Sequence, residues 1–186
     1  MSRLTDVIAA IDAANAEDPN QTDGRPEALV YGERMSAELD RLFPDASEVL
    51  QLAARGQHIE RWTLKRADYP EGRTGYLTWR RDLAKHHGAR VAGMMREAGY
   101  SDEEADTAAS LLRKEGLKRD PQVQALEDVI CFVFLKWYFA PFSAKHPQNK
   151  VHNIVVKTAR KMSDDGRARV LSEFDLPETL ASAFRI

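Results

Sequence analysis

The sequence predicts an all-α fold, and three observations carry that prediction. Apolar residues recur every three or four positions, as at Met35, Leu39 and Leu42, which is the spacing of one helix face. Start and stop signals bracket these runs: Ser101 with Glu104 reads as a capping box, Asp120-Pro121 as a start and Gly99 as a stop. No segment alternates apolar and polar residues over a sustained stretch, so no strand is needed.

Taken in order, Thr5 and Asp6 are placed to cap a first short helix through Ala14, with Val7, Ile8 and Ile11 on one face. The stretch EDPNQTDGRP is a polar connection rich in turn formers. A helix is expected from about Pro26 to Phe43, because proline suits a first turn. Pro44 and Asp45 should end it and cap the next, ASEVLQLAARGQHI, which buries Val49, Leu50 and Ala53. Arg61 to Gly75 reads as a loop, with Tyr69-Pro70 and two glycines. A long helix follows from about Tyr76 to Ala98, and the helix opened by the capping box runs to about Lys114. Asp120-Pro121 starts another, whose apolar run from Val129 to Phe142 marks it as central and most buried. Pro147 opens a helix through Met162, and two short helices close the chain.

At 186 residues the chain is expected to form a single helical domain of about seven to nine helices. Hydrophobic residues at 43 % and charged residues at 30 % suit a globular domain rather than a disordered chain. No apolar run approaches the ~20 residues that cross a bilayer, and MSRLTDVIAAID does not read as a signal peptide. One cysteine, Cys131, excludes an internal disulfide and suits a reducing compartment. It lies in VICFVFL, where a buried, inert thiol is expected. The expectation is therefore a soluble cytoplasmic protein with no membrane partner.

Net charge is −2, but it is unevenly spread. Asp6 to Glu48 holds eleven acids and three bases, whereas Arg55 to Arg96 holds ten bases and four acids. Solvated helix faces would explain this, and so would a local anion site.

Three polar pairs fall on helices expected to pack together: Gln57-His58, His86-His87 and Glu127-Asp128. A carboxylate pair directly before VICFVFL must be hydrogen-bonded, ion-paired or metal-bound, because a bare buried charge is costly. Histidine nitrogens and carboxylate oxygens are suitable ligands for a divalent metal, although these spacings form no local metal motif.

The run YGERMSAELDRLFPDASEVLQLAARGQHI, then HHGARVAGMMREAGYSDEEADTAASLLRKE, then ALEDVICFVFL resembles the HD-domain superfamily over roughly residues 29 to 140. That resemblance implies an HD-like core over about 26–143, with C-terminal helices 147–186 packed on it. It also implies a metal-bound water attacking a phosphate ester. The ligand positions depart from the pattern: Tyr31 and Gln57-His58 stand where histidine and His-Asp are expected, and no histidine falls near Arg113-Lys114-Glu115. His87 and Asp128 match, and His58 is a substituted ligand. A mononuclear site would therefore use His58, His87 and Asp128, with Glu127 or Glu115 as a fourth ligand or base, and His58, Glu127 and Glu115 are the candidate catalytic residues. A metal-free pocket is the alternative.

A closer resemblance, over most of the chain, is to the family known as domain of unknown function 4202. It is carried by QHIERW, by the YP…R-x-GYL-x-WR stretch at Tyr69 to Arg80, by LLRKEGLK-x-DP at Leu111 to Pro121, and by LEDV at Leu126 to Val129. This family brings no settled activity.

The segment RW-x-x-KR-x-x-YP-x-x-R-x-GYL-x-WRR mixes bases with aromatics. Arginine forks bind phosphate or carboxylate in two places at once, and aromatic rings can cover a base or sugar face. Arg61, Arg73, Arg80, Arg113, Lys114, Lys118, Tyr69 and Trp79 are the candidate substrate contacts. Equally, Trp79 can belong to the core and Arg80 can pair with Glu127. The pI of about 6.2 does not favour a nucleic-acid partner. The expectation is a hydrolase with one divalent metal, acting on a small phosphorylated or nucleotide-like metabolite. A metal-free module that binds an anionic metabolite is the alternative.

Overall fold

The computed structural model describes residues 2–186 and is all-α, apart from one two-residue hairpin. Its contacts group the chain into two compact units, a first ending at Glu115 and a second spanning Gly116–Ile186. Ten α-helices are assigned among the described residues. None of them is long and apolar enough to cross a membrane.

The first unit opens with α1 (Arg3–Asn15), capped by the Ser2 hydroxyl rather than by Thr5. The polar connection contains β1 (Gln21–Thr22) and β2 (Arg25–Pro26). Asp23 and Gly24 turn between them at φ 54° and 73°, the left-handed pair that a tight hairpin requires. Then comes α2 (Glu27–Leu42), which has no side-chain cap of its own at Pro26. Asp18 supplies one, accepting from Ala28 N through one oxygen and from Asn20 N and Nδ2 through the other. Ser47, not Asp45, caps α3 (Glu48–Arg55), because its hydroxyl sits three residues before the Leu50 N–H it accepts.

Two 3-10 turns, Arg61–Thr63 and Arg66–Asp68, break up the expected loop. The long helix α4 (Gly72–Glu97) begins a turn earlier than the sequence suggests. Gly75 explains the difference. A Cβ there would lie 1.8 Å from the Pro70 carbonyl oxygen, so glycine lets the chain fold back onto the first turn of the helix. At the other end Gly99, at φ 86°, closes α4. Its N–H donates to Arg96 O and the Tyr100 N–H to Met95 O, the Schellman pattern. The predicted capping box is present at the start of α5 (Asp102–Leu112). Helices α3, α4 and α5 pack around Leu52, Ile59, Leu83, Met95, Leu111 and Leu112, all nearly or fully buried.

In the second unit α6 (Pro121–Val133) is capped by Asp120 with proline in its first turn, as predicted. The apolar run does not continue as one regular helix. A π-helical turn, Phe134–Tyr138, joins α6 to α7 (Phe139–Lys145), and the Phe139 N–H donates to Phe134 O. Pro141 has no N–H for the carbonyl four residues back, and its ring crowds that carbonyl. A π turn just upstream absorbs the misfit. The unit is completed by α8 (Gln148–Lys161), α9 (Asp164–Glu173) and α10 (Glu178–Ala181). Cys131 is buried, as expected.

Candidate functional site

The turn between α3 and α4 builds the site. After α3 the chain passes His58, then Glu60 at φ 50°, a left-handed conformation costly for a side-chain-bearing residue. Glu60 is held there from three directions. Its N–H donates to Asn15 Oδ1 at 3.1 Å. Its carboxylate takes both Arg90 Nε and Nη2, at 2.8 and 2.7 Å. His86 Nε2 lies 3.1 Å from the same carboxylate. Locking Glu60 fixes the exits of its neighbours His58 and Arg61.

The His58 ring stacks on Tyr31 of α2, with centroids 3.7 Å apart, and lies 6.1 Å from the His87 ring. His87 is 3 % exposed, and its Nε2 has no hydrogen-bond partner. Burial, with Arg61 and Arg80 nearby, holds both imidazoles neutral. His58 lies well below the usual histidine range, and His87 is lowered to about 3.

Arg61 lies over the Trp79 ring, its guanidinium carbon 4.9 Å from the centroid. Trp79 is itself pinned, its Nε1 donating to Leu64 O at 2.9 Å. Burial and the neighbouring Arg80 charge lower the Arg61 pKa. Around Arg61 opens a pocket of about 780 Å³, lined also by His58, Trp62, Lys65, Arg66, Trp79, Asp18 and Glu27.

The distribution of counter-charges sets this region apart. Elsewhere in the first unit every arginine meets a carboxylate. Arg3, Arg25, Arg34 and Arg41 pair with Glu48 and Glu104, Glu33, Asp23 and Glu38. Arg55, Arg90, Arg96 and Arg113 pair with Asp12, Glu60, Asp102 and Asp106, and Glu115. Between 61 and 81 the pattern stops. Among the described residues, Arg61, Arg66, Arg73 and Arg80 have no carboxylate at ion-pair distance, Glu27 acts on Arg61 only at longer range, and Arg81 has only a 3.8 Å approach to Asp82. A half-buried guanidinium without a counter-charge is costly and suits an anion supplied from outside.

The other expected residues are placed as follows. The Tyr69 hydroxyl donates to Asp82 Oδ2 at 3.2 Å and fastens the loop to α4. Arg73 is exposed on the first turn of α4. Arg113 and Glu115 form a two-pronged pair, and Glu115 also accepts from Ser110 Oγ. These contacts lower the Glu115 pKa to about 2, so its carboxylate is a weak proton acceptor. Lys114, at φ 58°, adds positive potential at His58.

Lys118, Glu127 and Asp128 belong to the second unit. Lys118 Nζ donates to Met162 O. Glu127 is 1 % exposed and lies 3.6 Å from Lys161 Nζ. Asp128 accepts from Ser163 N at 2.8 Å, Ser163 Oγ at 2.5 Å and Gln124 Nε2 at 3.1 Å. Burial raises its pKa, and the Ser163 bonds oppose that rise. Gly166 leaves room for this carboxylate, because a Cβ there would come within 2.9 Å of it. Among the described residues no group of three His, Cys, Asp or Glu side chains is arranged to hold a metal ion. In the first unit His58 and His87 bring two imidazoles near each other in a field dominated by arginine.

Nothing in the sequence singles out Glu27, which meets the pocket only through the turn of the hairpin. Lys65 and Arg66 are visible as the KR of RW-x-x-KR, but their place on the pocket wall depends on the two 3-10 turns.

No curated protein and no solved structure matches the chain significantly. A family model does match, over residues 5–183, and the chain belongs to that family, described as domain of unknown function DUF4202.

Proposed function

We propose that the first unit binds a small anionic metabolite, of the phosphorylated or nucleotide-like class, in the pocket around Arg61. The observation that carries this reading is the missing set of counter-charges. The unit pairs its arginines outside 61–81 with carboxylates, and leaves Arg61 and Arg80 without a direct ion pair beside two neutral histidines, with Glu27 acting on Arg61 only at longer range. The guanidinium groups supply charge and forked donors. A neutral imidazole supplies one N–H, and Trp79 with Trp62 supplies ring faces. A ligand that binds only the folded state raises the melting temperature. Adenosine 5′-phosphate at millimolar concentration is therefore expected to stabilise the protein, and Arg61→Ala to abolish the effect. If adenosine 5′-phosphate, fructose 6-phosphate and the corresponding bisphosphates all leave the melt unmoved, this reading is wrong.

A metal-dependent phosphohydrolase built on an HD-like scaffold is the second reading. One observation favours it: His58 and His87 are close and neutral, and His87 Nε2 is buried without a hydrogen-bond partner. The neutral imidazole is the form that binds metal. A bound metal would polarise a phosphoryl oxygen or a water. Elemental analysis of protein purified without a histidine tag is the test. A stoichiometric divalent ion that disappears in His87→Ala would support it, and metal-free protein that still binds phosphorylated ligands would exclude it.

A further inference from the structure

We infer that the ligand of this pocket carries two phosphate-type groups on one hydroxylated skeleton, a sugar or nucleoside bisphosphate rather than a monophosphate. The inference rests on the anion-pocket reading above and adds to it a second anion subsite, formed by Lys65 and Arg66. Both residues line the same pocket as Arg61. Among the described residues the Lys65 side chain makes no hydrogen bond or ion pair, and Arg66 is bound only to a backbone oxygen, Nη1 donating to Tyr69 O at 3.0 Å.

Three features separate this subsite from the one at Arg61. The first is tethering. Arg61 rests on the Trp79 ring, which is anchored to Leu64 O, while Arg66 is anchored to Tyr69 O. Two guanidinium groups held by different anchors do not both swing onto one phosphate without breaking an anchor. The second is size. At about 780 Å³ the pocket falls in the range of about 300–1,000 Å³ that suits an organic ligand rather than a bare ion. The third is the lining between the cations. Trp62 and Trp79 offer ring surface, and Glu27 is an acceptor that acts on Arg61 only through its field, with no direct hydrogen bond. Asp18, the other acid in the wall, is committed to Asn20 and Ala28. A carboxylate whose oxygens accept no hydrogen bond, in a pocket that binds anions, suits hydroxyl donors on the ligand, as on a sugar.

Calorimetric titration of the full chain with two matched pairs tests the inference. One pair is adenosine 5′-phosphate against adenosine 3′,5′-bisphosphate, and the other is fructose 6-phosphate against fructose 1,6-bisphosphate. At least one bisphosphate should bind ten times or more as tightly as its monophosphate. The double variant Lys65→Ala/Arg66→Ala should bring that bisphosphate to the affinity of its monophosphate while changing monophosphate binding less than twofold. Arg61→Ala should weaken both. Arg81→Ala/Lys85→Ala removes the same charge outside the pocket and should leave the discrimination intact. Equal affinities within both pairs overturn the second subsite but leave the anion pocket standing. So does a loss of discrimination in the Arg81/Lys85 control, which would indicate a diffuse field. Failure of all four compounds to bind would remove the anion pocket itself.

Discussion

His87 ties the site to the pH dependence of stability. In the unfolded chain a histidine takes up its proton near pH 6.5, whereas the buried side chain does so only near 3. Between those values the unfolded state binds more protons, so stability falls as pH drops. The loss begins as pH falls through about 6.5 and grows by up to about 1.4 kcal/mol per pH unit. Above about pH 7 this group adds no pH dependence. The carboxylates with lowered pKa values, Glu33, Glu60, Glu104, Glu115 and Glu178, contribute stability that is lost mainly below about pH 5. Asp128, whose pKa is raised, is common to the natural sequence and a His87→Gln variant, so the difference between them over pH 5 to 7 reports His87. Urea unfolding at both ends of that window should show a shallower fall for His87→Gln than for the natural sequence. Equal slopes would mean that His87 is not held neutral. At the same scale Arg55 clamps Asp12 with two bonds of 2.6 Å. Arg55→Ala should cost about 1–3 kcal/mol, read as a lowered urea midpoint with an unchanged slope.

Between elements, two close approaches carry much of the architecture. Asp128 joins α6 to the start of α9 through its bonds to Ser163. Asp128→Ala should cost about 2–4 kcal/mol, since it also strands the buried donors. Adenosine 5′-phosphate binding to the variant, measured below its melting transition, should stay within twofold. Normal melting with lost binding would place Asp128 in the ligand site instead. Gly75 under Pro70 is the second approach. Gly75→Ala forces the main chain apart at a cost of about 1–3 kcal/mol, seen as faster hydrogen exchange over 66–75.

Which elements were legible in the sequence follows from how local their signals are. The Ser101–Glu104 box and the Asp120-Pro121 start are complete within four residues, and both are present. The hairpin escaped because two-residue strands have no period, although Asp23-Gly24 is its turn signal. The start of α4 escaped because Gly75 resembles a loop former, while its purpose is contact with a carbonyl five residues earlier. In the site, His58, Arg61, Trp79, Arg80 and His87 are all recognisable as residue types. The Arg113–Glu115 pair was hidden because it forms across a left-handed Lys114 rather than at a helical interval. The HD-like arrangement of ligands rests on resemblance alone, since its aspartate belongs to the second unit and is engaged there by Ser163 and Gln124.

At the level of the whole chain, the uneven charge resolves into two populations. Much of the acidic segment is spent on arginines elsewhere in the first unit, as Asp12 is on Arg55 and Glu33 on Arg25. The basic stretch from 61 to 81 keeps its field. Ligand affinity should therefore fall as ionic strength rises from tens to hundreds of millimolar, by an amount that Arg61→Ala reduces. In hydrogen exchange, adenosine 5′-phosphate should slow the segments around 58–67 and 79 and leave Gly116–Ile186 unchanged. Slowing confined to the second unit would contradict the assignment of the site.

The pinned indole of Trp79 has an optical consequence. The chain has three tryptophans; Trp62 and Trp79 line the pocket, and Trp137 lies in the second unit. A guanidinium resting on an indole perturbs its excited state, and an anion that draws Arg61 away relieves that perturbation. The protein thus carries its own emission probe for occupancy, and Trp137→Phe would leave a signal that comes from the pocket alone.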